Sequence, residues 1–264
     1  MSDLAVLIPA YRNQSGLEKT LDSLLSQTYS RFDVVVVDDG SPDRVVASPQ
    51  LGSHGSVSVL RLEKNRGIAA ALNCGLQYIL ARGYSYVARV DAGDTVAPER
   101  LEEQVRFLES DPNCAVVSSF VDFVDARQQL LFRYRPPCDH SKIRRAMHLN
   151  NCVVHSPAMI RASAFRETGL YREDLPVAED YELFLRFGRR YTLANLPRAL
   201  TRCEYSFSGL SIAGRRQQQR ERLKLQIEYF DPLSPYSFVG IARTLLAMLT
   251  PHAVVYRFKR AYFS

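Results

Sequence analysis

Short apolar runs alternate with helix-periodic segments over the first part of the chain. The runs are rich in valine and other aliphatic residues, which is typical of strands buried on both faces of a parallel sheet. Between the first two runs, Leu17, Leu21, Leu24 and Leu25 recur at helical spacing. A strand, a helix and a second strand form a βαβ unit, so the pattern predicts an α/β fold. The predicted strands of this region are residues 4–8, 32–37, 57–62 and 86–90.

Turn and capping residues set the expected boundaries of other elements. The segment Ser-Gly-Leu-Glu that begins at Ser15 matches a capping box and predicts the start of the first helix there. Gly83 ends the second helix, and Pro98 begins a third. Residues 126–129 are the predicted turn of a hairpin. The remaining predicted elements are strands at 115–124, 130–134, 152–155, 191–196 and 199–205, and a helix from Glu179.

Polar side chains follow three of the predicted strands, at the point where each strand ends. Tyr11 follows the first strand, Asp38 and Asp39 follow the second, and Asp91 and Asp94 follow the run at 86–90. In open α/β sheets ligands bind at the carboxyl ends of the strands. Carboxylates there accept hydrogen bonds from ribose hydroxyls or a base, or help to hold a metal. An Asp-rich turn is also an ordinary strand ending, but its recurrence at one edge indicates a binding site.

These segments together match a known family. The chain resembles the family 2 glycosyltransferases with the GT-A fold, of the type that builds bacterial polysaccharide or O-antigen. No single segment is specific, but their order along the chain is. The matching segments are residues 8–13, 37–41, 65–67 with Asn73, 88–94, 98–101, 155–159 and 178–183.

The resemblance implies both an architecture and a division of the chain. The expected fold is a Rossmann-like, mixed but mainly parallel sheet flanked by helices, with a helical appendage at the C-terminus. Residues 1–213 are expected to form the GT-A domain, in which 1–95 bind the nucleotide-sugar and 96–213 the acceptor. Residues 214–264 are expected to form a basic, amphipathic helical region.

The resemblance also implies a donor site with a divalent cation, Mn²⁺ or Mg²⁺. Asp91 and Asp94 are the expected metal ligands. The family pattern places a second Asp two residues after the first, and this chain has Gly93 there. Either Asp94 replaces the missing carboxylate, or Asp91 binds the metal through water. Arg66 is either a donor contact or a solvated surface arginine. The implied donor-binding residues are Pro9, Ala10, Tyr11, Asp39, Asn65, Arg66, Gly67 and Asp91.

By the same resemblance, Asp180 is the general base that removes the proton of the acceptor hydroxyl. Glu179 and His155 lie on the acceptor side. An acidic residue in the first turn of a helix is also typical of an ordinary helix N-terminus. A histidine such as His155 is more often a buried structural residue than a site residue. A single base without an enzymic nucleophile implies one displacement with inversion at the anomeric carbon.

The implied function is inverting, metal-dependent transfer of a sugar from a nucleotide-diphosphate sugar. A hexosyl- or deoxyhexosyltransferase would act on a saccharide or lipid-linked acceptor in surface polysaccharide or lipopolysaccharide synthesis. The Gln-x-x-Arg-Trp signature of processive members is missing, and the chain has no Trp, so non-processive transfer is expected. A dinucleotide-binding oxidoreductase is disfavoured, because residues 9–13 lack the Gly-x-Gly-x-x-Gly turn. A catalytically inactive binding or assembly subunit is the other alternative, and Gly93 supports it.

The C-terminal region contains the whole formal charge of the chain. Residues 214–264 hold nine basic and three acidic residues, a net charge of +6. Leu223, Ile227 and Phe230 predict an apolar stripe on a helix, and a second apolar segment follows Pro235. Apolar and basic residues together favour an anionic membrane surface as a partner, although packing on the catalytic domain is an equal alternative. Nucleic acid is not an expected partner, since no binding module accompanies the charge.

Cysteine use and the lack of long apolar runs predict the location. The five cysteines are odd in number and widely spaced, which favours a reducing compartment. The N-terminus shows no secretory signal pattern, and no run of about 18 apolar residues occurs. The expected location is therefore the cytoplasm, peripheral at the inner face of the plasma membrane.

Overall fold

The structure is a computed structural model that describes residues 3–48, 50–175, 177–205 and 215–249. Ten strands in these ranges form one mixed sheet. They are β1 Leu4–Ala10, β2 Asp33–Asp38, β3 Gln50–Leu51, β4 Gly55–Arg61, β5 Tyr86–Arg89, β6 Thr95–Val96, β7 Cys114–Val124, β8 Leu130–Tyr134, β9 Met159–Arg161 and β10 Thr192–Glu204. The strand order is β3-β4-β2-β1-β5-β9-β7-β10-β6, and β8 pairs with β7.

Helices cover both faces of this sheet. Alternate residues of a strand point to opposite faces. Leu7 and Val35 therefore pack with the helices that begin at Ile68 and Glu179, whereas Val6 and Val36 pack with those that begin at Gln14 and Arg100. The central strands are therefore buried on both sides, as their apolar runs predict. The helices are α1 Gln14–Leu24, α2 Ile68–Ala81, α3 Arg100–Ser110, α4 His140–Met147, α5 Ala162–Thr168, α6 Glu179–Phe187, α7 Arg215–Glu228 and α8 Pro235–Leu249.

The first helix begins earlier than its capping box predicts, so the prediction of a start at Ser15 is wrong. Asn13 is the N-cap, and its side-chain oxygen accepts a hydrogen bond from the Gly16 N–H at 3.1 Å. The Asn13 amide also donates to the carbonyl of Ala92, a tertiary contact that a local motif does not contain. Leu25, which ends the predicted stripe, is 48% exposed at the C-cap.

Three of the predicted strands also differ from the structure. Residues 152–155 form no strand, because side chains satisfy their carbonyls instead of a sheet partner. Ser118 donates to the Val154 carbonyl, and Asn195 donates to that of Cys152. The strands predicted at 191–196 and 199–205 are one strand, β10, whose register against β7 shifts around Pro197. A bulge accommodates a proline that has no N–H to donate.

The C-terminal helices pack against the rest of the protein. α7 buries Leu225 completely and Tyr229 almost completely within the core that contains α6, and the Tyr229 hydroxyl donates to Glu182 at 2.7 Å. Ile227, on the predicted apolar stripe, is 59% exposed, so Leu225 and Tyr229 rather than Ile227 face the core. Tyr229 fixes the orientation of the helix, because its hydroxyl donates to the buried carboxylate of Glu182. The predicted tail residues from Thr250 onward lie outside the described residues.

The parallel strands fix where the candidate groups lie. β1 pairs in parallel with β2 on one side and with β5 on the other. The residues that follow these three strands, Tyr11, Asp39 and Asp91, therefore lie along one edge of the sheet, as expected.

Candidate active site

Asp39 organises the loop that precedes α2. One carboxylate oxygen accepts the Arg66 N–H at 2.8 Å and the other accepts the Gly67 N–H at 2.9 Å. Gly67 is the N-cap of α2 with φ +87°, a conformation that favours glycine. The Asp39 side chain is almost completely buried, and burial raises its pKa. The structure thus brings together the predicted donor residues Asp39, Arg66 and Gly67, with Asn65 exposed beside them.

Tyr11 is the most accessible of the predicted donor residues at the end of β1. It is 41% exposed, whereas Pro9 and Ala10 are buried within the strand. The next residue, Arg12, has φ +52°, and its N–H donates to the Ser41 hydroxyl at 2.9 Å. This hydrogen bond ties the turn after β1 to the turn after β2.

Asp38, unlike Asp39, binds the turn that follows β2 and not the loop that precedes α2. Its carboxylate is 1% exposed and accepts hydrogen bonds from the N–H groups of Ser41 and Val45. It also pairs with the Arg61 guanidinium. These contacts hold the pKa of Asp38 below its usual value despite its burial, so its role is to hold the turn that orients Asp39.

Asp91 projects from the end of β5 with a half-exposed side chain. Its exposed fraction is 47%, and one carboxylate oxygen accepts a hydrogen bond from the Arg89 guanidinium at 2.6 Å. The Asp91 N–H donates to the Ser156 hydroxyl at 3.1 Å. Asp91 is therefore both anchored and accessible to solvent.

Arg89 is a site residue that sequence reasoning missed. The side chain is 3% exposed, and its Nε and Nη1 atoms have no hydrogen-bond partner among the described residues. Electrostatic interactions connect it with Asp91, Glu179 and Asp180. The available signal was an arginine inside an otherwise apolar strand, since arginine is almost never fully buried unless it is paired.

Asp94 lies behind the loop that Asp91 begins. The residue is 9% exposed, and one carboxylate oxygen accepts a hydrogen bond from the Cys203 thiol at 3.0 Å. Burial raises the pKa of Asp94 to about 6. Gly93 has φ +114°, and its N–H donates to the Thr20 hydroxyl. No group of three or more metal-binding side chains occurs within the described ranges, and metal binding by Asp91 and Asp94 stays a prediction.

Asp180 lies in the first turn of α6, where two donors orient its carboxylate. One oxygen accepts the Asn151 side-chain amide at 2.9 Å, and the other accepts the N–H of Tyr181 at 2.7 Å. Burial raises the pKa of Asp180 to about 6. Ala178, the N-cap, has φ +68°. Non-glycine residues in this conformation are strained, and such strain clusters at functional sites.

His155 and Glu179 form the buried wall beside Asp180. The Nε2 atom of His155 lies 2.7 Å from the Tyr171 hydroxyl, and its Nδ1 atom lies 4.0 Å from a Glu179 oxygen. Burial and the nearby Arg89 guanidinium hold the pKa of His155 well below its usual value, so the ring is neutral. Burial raises the pKa of Glu179 to about 7.

Glu173 connects the donor loop with the segment that leads to α6. One of its oxygens lies 2.9 Å from the Arg66 guanidinium, and the other accepts the Asn73 amide at 3.0 Å. Asn73 also exchanges two hydrogen bonds with the backbone of Tyr171. Arg66 is 53% exposed yet paired, so the predicted donor loop contacts the segment that leads to α6.

The family model for glycosyl transferase family 2 matches residues 5–169. The chain belongs to glycosyltransferase family 2. The match includes the donor-side segments and His155 and ends before Glu179 and Asp180. Membership of this family identifies the protein as a glycosyltransferase and confirms the resemblance on which the expected site rests.

Relatives extend the similarity beyond that match. The Bacillus subtilis (strain 168) protein EpsE is 30% identical over 275 residues, which cover 97% of this chain and 93% of EpsE. The amylovoran biosynthesis glycosyltransferase AmsE of Erwinia amylovora is 30% identical over 202 residues, or 74% of each chain. Other relatives are longer, and the match covers 58% of a Rickettsia prowazekii glycosyltransferase.

Solved structures establish the GT-A fold. The S. aureus TarS fragment 1–349 in complex with UDP has a TM-score of 0.65 and 21% identity, over 93% of this chain and 71% of the fragment. The Pyrobaculum calidifontis mannosyltransferase PcManGT, in complex with GDP-Man and Mn²⁺, has a TM-score of 0.65 and 20% identity, over 93% and 69% of the two chains. The predicted mixed, mainly parallel sheet flanked by helices is confirmed.

Proposed function

We propose that this glycosyltransferase moves one hexose or deoxyhexose per encounter from a nucleotide-diphosphate sugar to a saccharide or lipid-linked acceptor, with inversion. The observation that carries the proposal is the convergence of Asp91, Arg89 and Asp180 in one electrostatic cluster. Asp91 belongs to the donor half, residues 1–95, and Asp180 to the acceptor half, residues 96–213. A donor and an acceptor group so placed suit a reaction between two bound substrates.

Asp180 is the proposed general base. Its two hydrogen-bond donors hold the carboxylate in one orientation, and its raised pKa makes it a better proton acceptor while it remains ionised near neutral pH. The acceptor hydroxyl loses its proton to Asp180 as its oxygen attacks the anomeric carbon from the face opposite the leaving diphosphate. Glu179 and His155 are proposed to border the acceptor.

A divalent cation fits the donor half through Asp91. Magnesium-type ions are commonly held by one or two carboxylates together with substrate phosphates and water, and Asp91 is a half-exposed oxygen donor. Asp94 is less suited to direct contact, because its buried carboxylate accepts from Cys203. This geometry favours Asp91 as the ligand, with Asp94 supporting the loop. When bound, the ion would neutralise negative charge on the leaving diphosphate.

The donor is proposed to bind across Tyr11, Asp39 and the loop of residues 65–67. Tyr11 offers an exposed ring to a base or ribose, and Arg66 offers a guanidinium at the cleft. Solved relatives support the donor class, since TarS was captured with UDP-GlcNAc and PcManGT with GDP-Man. The proposed contribution of Asp39 is to fix the N–H groups of this loop and to accept from the nucleoside.

The acceptor is proposed to belong to surface polysaccharide synthesis, at the inner face of the plasma membrane. The similarity to AmsE, named for amylovoran biosynthesis, supports a polysaccharide product. The net charge of +6 on residues 214–264 supports an anionic membrane surface as the place where a lipid-linked acceptor is met.

A donor screen tests the proposed function. The protein is heated with each nucleotide-sugar in the presence of Mn²⁺, and the stabilising donors are then assayed for release of nucleoside diphosphate with and without Mn²⁺. Ligands that bind only the folded state raise the unfolding temperature. Metal-dependent release is the expected result. A donor that stabilises the protein but is never cleaved, with or without saccharide acceptors, would instead favour an inactive binding subunit.

We also propose that Arg89 positions Asp91 and compensates the carboxylates around it. Arg89→Met should lower the transfer rate by more than about 10-fold and lower the unfolding temperature, since it removes the buried cation that compensates the buried carboxylates Glu179 and Asp180. The control is Arg133→Met, which removes another Arg–Asp pair, to Asp122, on the β7–β8 hairpin. Steady-state kinetics and thermal unfolding measure both variants. Equal transfer rates in both variants would leave Arg89 a purely structural residue.

A further inference from the structure

The helix α8 packs on the protein through small and polar residues. Ser237 and Thr244 are each 2% exposed, and Gly240 is buried between them. A Cβ at Gly240 would lie 2.0 Å from the carbonyl oxygen of His148, so only glycine permits this approach. The Ser237 hydroxyl lies 3.0 Å from the His148 ring. The inner face of α8 is therefore a close-fitting surface with little apolar area.

The outer face of the same helix is apolar. Scattered exposed apolar residues are normal, but a contiguous apolar face on one helix marks an interaction site. An ordinary surface helix packs its apolar face against the core and exposes its polar face. α8 does the opposite. The large apolar residues on the outer face include Phe238 (56% exposed), Val239 (53%), Leu245 (46%), Met248 (40%) and Leu249 (81%).

We infer that this outer face docks onto the surface of an anionic lipid bilayer. α8 contains no acidic residue, and its one cation, Arg243, is exposed. The chain continues after α8 with Arg257, Lys259 and Arg260 and no acidic residue. An apolar face on a helix with one exposed cation and no acidic residue, in a chain that continues with three more cations, suits the interface of an anionic bilayer, where acyl chains meet negative head groups.

The packed inner face suits the helix to lie in the membrane plane. Its 15 residues span about 22 Å at 1.5 Å per residue, which is less than the hydrocarbon thickness of about 30 Å. Among the described residues, no helix is both long and apolar enough to span a bilayer. The packed inner face would keep the catalytic domain at the surface.

A second copy of the chain is a poorer occupant of this face. A two-fold symmetric contact between two α8 helices would bring two copies of the C-terminal region together, each with a net charge of +6. Like charges repel, whereas an anionic bilayer attracts both the helix and the residues after it. Charge therefore favours an anionic lipid surface over a second copy of the chain as the partner of this face.

The experiment uses the full chain and vesicles of phosphatidylcholine with and without phosphatidylglycerol. Flotation should show binding to the anionic vesicles that weakens as NaCl is raised, because salt screens the attraction. The double variant Leu245→Glu, Leu249→Glu should bind at least about 10-fold more weakly, since it removes apolar area and adds negative charge. Both side chains are exposed, so the unfolding temperature should not change.

The control is the double variant Leu130→Glu, Leu131→Glu on β8, where two other exposed leucines lie. It should bind vesicles as the unchanged protein does. Equal loss in both variants, or no binding of the unchanged protein to either vesicle, would overturn the inference. A dimer in light scattering that only the α8 variant disrupts would assign the face to a second copy and overturn it as well.

The inference rests on the proposed function only in its lipid-linked acceptor. Vesicle binding is measured without donor or acceptor, and sugar transfer is measured with a short water-soluble acceptor. Absence of vesicle binding by the unchanged protein, with intact transfer, would contradict the docking surface alone. Vesicle binding without any transfer would contradict the proposed function alone.

Discussion

Replacing Asp180 with asparagine should lower the rate of sugar transfer by about 10²–10⁴-fold while nucleotide affinity stays the same. Asparagine keeps the shape of the side chain but cannot take the proton of the acceptor hydroxyl. One of the two hydrogen bonds to Asp180, from Asn151 or from the Tyr181 N–H, loses its acceptor in the variant. A modest loss of stability is therefore expected as well, and thermal unfolding measures it separately from kinetics.

The pH dependence of the rate gives a second test of Asp180. The base must be ionised, and burial raises its pKa to about 6. The transfer rate of the unchanged protein should therefore fall as the pH is lowered through 6, and the residual rate of Asp180→Asn should lack this dependence. Asp33→Asn is the matched control, since Asp33 also accepts a backbone N–H, from Ser56. Full activity in Asp180→Asn would contradict the assignment.

The central part of the fold was predictable because one local property decides it. β1, β2 and β5 are short, mainly apolar runs, and such runs are typical of strands in a parallel sheet. In the structure all three are buried on both faces. The start of α1 was not predictable in this way, because Asn13 caps the helix while also contacting Ala92. The single strand β10 was missed because its pairing with β7 continues across Pro197 through a bulge.

The site was predictable to a lesser extent than the fold. Asp39 and Asp91 could be placed at one sheet edge from strand endings alone, whereas Asp180 and its role came only from family resemblance. Strand endings alone did not distinguish Asp38, which holds a turn, from Asp39, which contacts the predicted donor loop, and only the family resemblance selected Asp39. In the structure the distinction lies in which N–H groups each carboxylate accepts from: that of Ser41 for Asp38 and that of Gly67 for Asp39.

The orientation of α8 was beyond any periodicity argument. Its sequence is apolar on most sides, and an apolar stripe is ordinarily expected to face the core. The close contact between Gly240 and His148 decides the orientation, because a larger side chain there would meet the backbone. Tertiary fit therefore overrides hydrophobicity in this helix, and its apolar residues are left at the surface.

Replacing Asp91 with alanine should abolish the metal-dependent part of nucleotide binding. Calorimetric titration with UDP and GDP, with and without Mn²⁺, should show an affinity loss of at least about 100-fold in the presence of metal, since even indirect perturbation of a metal ligand costs 10–100-fold. Removing Mn²⁺ with EDTA should weaken binding to the unchanged protein but not to the variant. A metal-dependent gain that persists in Asp91→Ala would contradict the assignment.

Asp94→Asn is the control that separates the two carboxylates. Because Asp94 is buried and an asparagine oxygen can still accept the Cys203 thiol, Asp94→Asn should keep the loop in place and leave Mn²⁺-dependent affinity within a few-fold of the unchanged protein. If Asp94→Asn instead matches Asp91→Ala in affinity, then Asp94 replaces the carboxylate missing at Gly93. Gly93→Asp is a poor way to decide between them, because φ +114° at this position strains any residue with a side chain. The comparison of the two aspartates therefore decides which carboxylate, if either, carries the predicted metal dependence of nucleotide binding.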